Sequence, residues 1–219
     1  MVVFLRSYFF IYVLFVGVFG LLTTRKQPKT YWTTFPWFII VVGILDGSGL
    51  LINRYLLGKY PQLSFFYYQL FVIPFQVIYY FWLINKGIVN SNRFYYTGTV
   101  VFILSVIVEC FTLIDLEGYY FNSFSYMVAN LLMLAHILRY FYQLSKNDRI
   151  LFFYRERMFW VTLGLLVFWL GALPLFGIFN YMVVNYPKVF TIYFNVILIF
   201  NFIMYTCFLI SFVWAVREK

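Results

Sequence analysis

The chain has 219 residues, of which 64% are hydrophobic, 26% aromatic and only 11% charged, with a formal net charge of +9. Soluble domains run nearer half apolar and a quarter charged, and one core of this size cannot hide 30 Phe, 21 Tyr and 6 Trp. An ordinary soluble enzyme or binding domain is therefore excluded, and lipid is the expected solvent, in keeping with a mean hydropathy of +0.87.

A bilayer core about 30 Å thick takes roughly 20 apolar residues of helix at 1.5 Å each. Runs of that length are predicted over 4–22, 35–57, 63–84, 94–114, 124–144, 158–181 and 189–214. The breaks between them hold Gly, Pro, Asn or clustered charge, which end helices. Strands of a membrane barrel alternate apolar and polar residues, and runs such as Val100 to Leu104 and Leu163 to Leu170 do not. The expected fold is an all-α polytopic membrane protein, a single seven-transmembrane-helix bundle with no soluble domain. The first segment runs from Gly17–Leu22 directly into Thr23-Thr24-Arg25-Lys26 without a small-x-small cleavage site, so it is expected to be a mature span rather than a signal peptide.

Ionisable and amide side chains at membrane depth are costly, so each is a candidate site that should face the bundle interior. Span two carries Asp46 at its midpoint, within Gly43-Ile44-Leu45-Asp46-Gly47-Ser48-Gly49, and Asn53 one heptad later on the same face. Gly43 and Gly47 form a G-x-x-x-G pair that lets a second helix approach closely. Asp46 is expected either to be a proton or cation site or a conformational switch, or to lock helix packing as a protonated or hydrogen-bonded carboxyl. Arg54 lies near the outer end of this span. Span three places Gln69, Gln76 and Tyr80 on one face, with Pro74 between them. Span four carries Glu109 on a stripe with Gly98, Ser105 and Thr112. An ion pair with Arg54 is expected, or a place for both in the lining of an outward-open pocket with Asn122 and Asn130.

Span five holds the single histidine, His136, at a depth like that of Asp46, followed on the same side by Arg139, Tyr140 and Gln143. Asp46 and His136 at matched depth are expected to share a proton, with a His136 hydrogen bonded to a backbone carbonyl or a tyrosine as the alternative. Arg139 is close enough to the inner surface to snorkel toward headgroups. Span six contains Pro174 between Gly171 and Gly177, a potential hinge. Span seven adds Asn195 and Thr206. The loop before span six sets Lys146, Arg149, Arg155 and Arg157 around Ile150-Leu151-Phe152-Phe153-Tyr154, a basic and aromatic segment suited to anionic lipid headgroups or to a cytoplasmic partner.

Lys and Arg mark the cytoplasmic side. Arg25, Lys26, Lys29, Lys86, Arg93, Arg139, Lys146, Arg149, Arg155, Arg157, Arg217 and Lys219 fall on one side, against Arg6, Arg54, Lys59 and Lys188 on the other. This places the N-terminus outside and the C-terminus in the cytoplasm, with Asp115 and Glu117 outside. The positive charge is thus a topology signal and implies no nucleic-acid partner. Tyr and Trp cluster at the proposed span ends, from Tyr31, Trp32 and Trp37 to Tyr186 and Trp214, as interfacial anchoring demands. Tyr67, Tyr68, Tyr79, Tyr80 and Tyr140 belong to the same belts. Cys110 and Cys207 differ too much in depth to pair, and are expected to be packed thiols.

No P-loop, H-E-x-x-H or G-x-S-x-G motif occurs, and one histidine cannot build a multi-histidine metal site, so neither an enzyme nor a bound cofactor or metal is expected. Seven helices with an outside N-terminus is the topology of rhodopsins, but the lysine a retinal would need at mid-depth in span seven is missing, since Lys188 and Lys219 only flank it. The single Pro61-Gln62, with no counterpart in the second half, departs from the PQ-loop transporters, and no repeat relates spans one to three with five to seven. The first expectation is a sensor or receptor-like module that signals through a separate cytoplasmic or membrane partner. The second is a small proton- or cation-coupled transporter using Asp46 and His136, and the third a structural subunit of a membrane complex.

Overall fold

A computed structural model describes residues 2–25, 31–55, 66–87, 92–113, 123–146 and 148–217. Within them the chain is helical throughout, without strands. Long helices form α1 (Val2–Thr24), α2 (Tyr31–Tyr55), α3 (Tyr67–Gly87), α4 (Asn92–Leu113), α5 (Ser123–Ser145), α6 (Arg157–Asn185) and α7 (Pro187–Arg217). A 3-10 segment, Asp148–Arg155, joins α5 to α6. Helices α2 to α7 are each long and apolar enough to cross a membrane, and in α1 the stretch Tyr8–Thr24 is a shorter apolar helix. This is the architecture of an integral, multi-pass helical membrane protein. The helices begin and end within about four residues of the apolar runs, because lipid leaves the backbone no partner but its own helix.

The helices close into a ring. Helix α1 packs on α2 and α7, α2 on α3, α3 on α5, α5 on α6, and α6 most extensively on α7, while α4 sits outside against α3 and α5. The core runs through all of them, from Val16, Phe35 and Ile39 through Phe81, Ile84 and Met133 to Leu165 and Phe208. Aromatic rings supply much of it. Phe38 stacks on Tyr79 at 3.7 Å, and Tyr80, Tyr140 and Tyr205 are buried. Part of the expected aromatic belt therefore faces inward, because these rings find partners across helix seams, whereas Trp37, Tyr142 and Tyr186 remain exposed.

Small residues set the closest seam. A Cβ added at Gly17 would lie 2.6 Å from Ile40 Cγ1, and one added at Gly43 would lie 2.8 Å from Leu14 Cδ2, so α1 and α2 meet nearly backbone to backbone. Gly43 and Gly47 both face α1, as their spacing demands. Most hydroxyls are satisfied within their own helix. Thr24, Thr162 and Ser211 donate to carbonyls three or four residues back, which makes them tolerable in lipid.

Two helices depart from regularity, each at a proline. In α3 the segment Tyr67–Val72 is a π-helix that ends where Ile73 N–H bonds the Tyr68 carbonyl, immediately before Pro74. Pro74 has no N–H to offer and its ring crowds the preceding turn, so the chain widens there. In α6, Pro174 is followed by a kink at Ile178 (φ −124°, ψ 18°). Tyr193 of α7 donates to the Gly171 carbonyl at 2.9 Å and so supplies a partner beside the break.

Candidate functional site

The widened turn of α3 lies against the glycine-rich middle of α2. Tyr67 Oη donates to the Leu45 carbonyl at 2.9 Å and meets the Ser48 hydroxyl at 2.5 Å, and Ser48 also bonds Leu45 at 2.9 Å. Tyr68 Oη reaches the Asp46 carbonyl at 3.4 Å. Gly49 makes this possible, since a Cβ there would collide with the Tyr68 ring. The backbone on either side of Asp46 is thus held by two tyrosines from a π-turn, a type of irregularity that recurs at functional sites.

The Asp46 carboxyl itself is half-buried and makes no hydrogen bond or ion pair among the described residues. It lies within electrostatic reach of Tyr80 on α3 and Tyr205 on α7, whose hydroxyls approach one another without a well-aligned hydrogen bond. Nearby, Tyr12 of α1 joins Thr206 of α7 at 2.8 Å. Gln76 is half-buried on α3, also without a hydrogen bond among the described residues. The side chain of Asn53 lies outside the described residues. A carboxyl whose oxygens have no hydrogen-bond partner among the described residues, flanked by phenols, can take a proton or a small cation.

His136 belongs to a different seam. Its ring stacks on Phe81 of α3 (4.4 Å, 5° between planes) and tilts against Phe94 of α4 (4.5 Å), with Gly98 of α4 leaving it room. Its Nδ1 pairs with the Leu132 carbonyl at 2.8 Å, while Nε2 is buried without a partner among the described residues. The structure does not bring His136 to Asp46. Successive residues on a helix project about 100° apart, so Tyr80, on the Asp46 side of α3, and Phe81, on the His136 side, point into separate seams. The shared-proton pairing is corrected on this ground: matched depth does not make a matched face. The expected alternative, a histidine bonded to a backbone carbonyl, is what the structure contains.

Arg139 lies against the first turn of α4. Its guanidinium lies 4.8 Å from the centre of the Phe94 ring, with Nη1 buried and without a hydrogen-bond partner among the described residues. Glu109 departs from expectation. It is buried, and its two oxygens accept Phe124 N–H at 3.0 Å and Ser125 N–H at 2.8 Å. The carboxylate of α4 thereby caps the first turn of α5, whose leading N–H groups have no partner in their own helix. Arg54 is exposed on α2, which does not neighbour α4 in the ring, and the two do not pair. The expected ion pair is replaced by a cap. Asn130 is fully buried, its amide unpartnered among the described residues, and does not line an outer pocket. Asn122, Asp115, Glu117, Pro61 and Gln62 lie outside the described residues.

On the face predicted to be cytoplasmic, Leu151, Phe152, Phe153 and Tyr154 are exposed along the 3-10 segment. Arg155 spans the Phe152 and Tyr154 rings at 5.3 and 5.5 Å, Lys146 covers Tyr142 at 4.3 Å, and Arg157 lies over Trp32 at 5.2 Å. The Arg149 side chain is outside the described residues. No cluster of three His, Cys, Asp or Glu that could hold a metal occurs among the described residues. Both cysteines are free, Cys207 buried and Cys110 partly so. No protein-family model, no characterised protein and no solved structure matches this chain.

The sequence placed Tyr67 and Tyr68 in an aromatic belt and Ser48 beside Asp46, but gave none of them, nor Tyr205, a part in the site. Pro74 seven residues after Tyr67 was the available signal, because a proline just inside an apolar helix widens or kinks the turn before it.

Proposed function

We propose that this protein is a seven-crossing membrane sensor module, with its N-terminus outside and its C-terminus cytoplasmic, in which Asp46 responds to a proton or small cation. The observation that carries this reading is the unpartnered Asp46 carboxyl at the seam where glycines of α2 meet the π-turn of α3. Charging or neutralising such a group changes its desolvation cost in lipid by several kcal/mol, enough to bias a seam held by a few tyrosine hydrogen bonds of about 1 kcal/mol each. The change would pass through α3 and α2 to their cytoplasmic ends, where Trp32 meets Arg157 beside the basic 3-10 segment. Lacking any recognisable catalytic constellation, the module would act through a separate cytoplasmic or membrane partner.

Transport is the second reading, favoured by the same open carboxyl. It now lacks His136 as an exchange partner. Reconstituted protein under an imposed proton or sodium gradient separates the two: the sensor reading predicts no flux above that of empty liposomes, together with a partner recovered in mild detergent and lost on changing Arg155 and Arg157 to Gln. Flux abolished by Asp46→Asn would overturn it in favour of transport.

A further inference from the structure

Between the end of α1 and the start of α2 the surface opens into a cleft of about 560 Å³ lined by Leu21, Leu22, Thr24, Arg25, Thr33, Thr34 and Trp37, a volume within the range of pockets that hold a ligand (about 300–1,000 Å³). Its walls divide by chemistry. Leu21, Leu22 and the Trp37 indole form an apolar side, with Leu22 69% and Trp37 60% exposed. Arg25 stands at the helix end, exposed and without an ion pair or side-chain hydrogen bond among the described residues. The hydroxyl protons of Thr24 and Thr34 go to the carbonyls of Gly20 and Tyr31, so Arg25 is the strong donor of the group.

We infer that this cleft is a binding site for one anionic phospholipid, whose phosphate pairs with Arg25 while an acyl chain lies along Leu22 and Trp37. The cleft sits where α1 and α2 end, the depth at which indoles and basic side chains meet headgroups. A soluble anion would satisfy Arg25 and leave the apolar wall wet; a zwitterionic phospholipid would cover the wall and offer its phosphate, but would set its own quaternary ammonium beside the guanidinium. An anionic phospholipid answers both. The Thr24 and Thr34 oxygens, their protons given to carbonyls, are left to accept, which suits the hydroxyls of a phospholipid headgroup beside the phosphate that Arg25 takes. The inference rests on α1 and α2 crossing the bilayer and not on the role of Asp46.

The test places full-length protein in nanodiscs containing a small fraction of lipid with brominated chains, either phosphatidylglycerol or phosphatidylcholine, and reads tryptophan quenching. The Trp37 share is the difference between the wild type and Trp37→Phe. Brominated phosphatidylglycerol is expected to quench that share well before phosphatidylcholine does, and Arg25→Gln, an exposed change that leaves the core intact, is expected to weaken the preference about fivefold, the effect of one basic side chain near an anionic surface. Equal quenching by the two lipids, or a preference that survives Arg25→Gln, would overturn the site and leave only general lipid contact. Displacement of the quencher by inorganic phosphate would overturn it in favour of a soluble anion. No quenching of Trp37 by either lipid would instead contradict the placement of the helix ends in the membrane.

Discussion

Glu109 and Asp46 are both carboxyls inside apolar helices, and their surroundings could hardly differ more. Glu109 reaches across from α4 and takes two N–H groups of α5 at 3.0 and 2.8 Å, so its charge is spent on closing a helix end. Asp46 lies half-buried with no hydrogen-bond partner among the described residues, while its own backbone is gripped by Tyr67 and Tyr68. One acid is structural because its oxygens are saturated by the fold. The other is a candidate for chemistry because the fold holds it in place and leaves its oxygens open.

Substitutions should separate the two. Glu109→Ala strips the cap from α5 and leaves one buried and one part-buried N–H group without this partner, a loss of about 3 kcal/mol expected from bonds to a carboxylate at a helix N-terminus; thermal unfolding in detergent micelles would register it, and Glu109→Gln should recover part. Gly49→Ala drives a methyl into the Tyr68 ring and should cost about 2 kcal/mol as overpacking, with altered α2–α3 spacing visible by spin-label distances. His136→Phe keeps the stack between Phe81 and Phe94 and loses one bond to Leu132, so about 1 kcal/mol is expected. If the loss were as large as for Glu109→Ala, His136 would have a role that its seam does not reveal. Asp46→Asn should change stability least under conditions where the carboxyl is neutral, by under about 1 kcal/mol, since no partner is left behind, while removing the response to proton or cation concentration.

Much of this was legible in the chain. Apolar runs bounded by Gly, Pro and charge located the helices, since lipid forces backbone groups to pair within each rod. The G-x-x-x-G pair at Gly43 and Gly47 foretold a close helix seam, and α1 is the helix that fills it. Depth along a helix could be read from sequence position, but the direction of a side chain around the bundle could not. That is why Asp46 and His136 looked like partners and are not, and why Glu109 was matched with Arg54 rather than with the start of the next helix. The cap pairs an α4 side chain with backbone atoms of α5, and backbone donors carry no sequence signature. The π-turn followed from Pro74, a local cause, yet which tyrosines it would aim at Leu45 and Asp46 depended on packing.

Whether Asp46 works as an ionisable site is best decided by measuring the melting temperature of wild-type and Asp46→Asn protein in nanodiscs across a series of pH values and sodium concentrations. The curves should diverge, the wild type shifting with proton or cation concentration by an amount that Asp46→Asn lacks, while shifts common to both come from other groups. Parallel curves over the whole series would contradict a functional Asp46 and reduce it to a packing residue of α2.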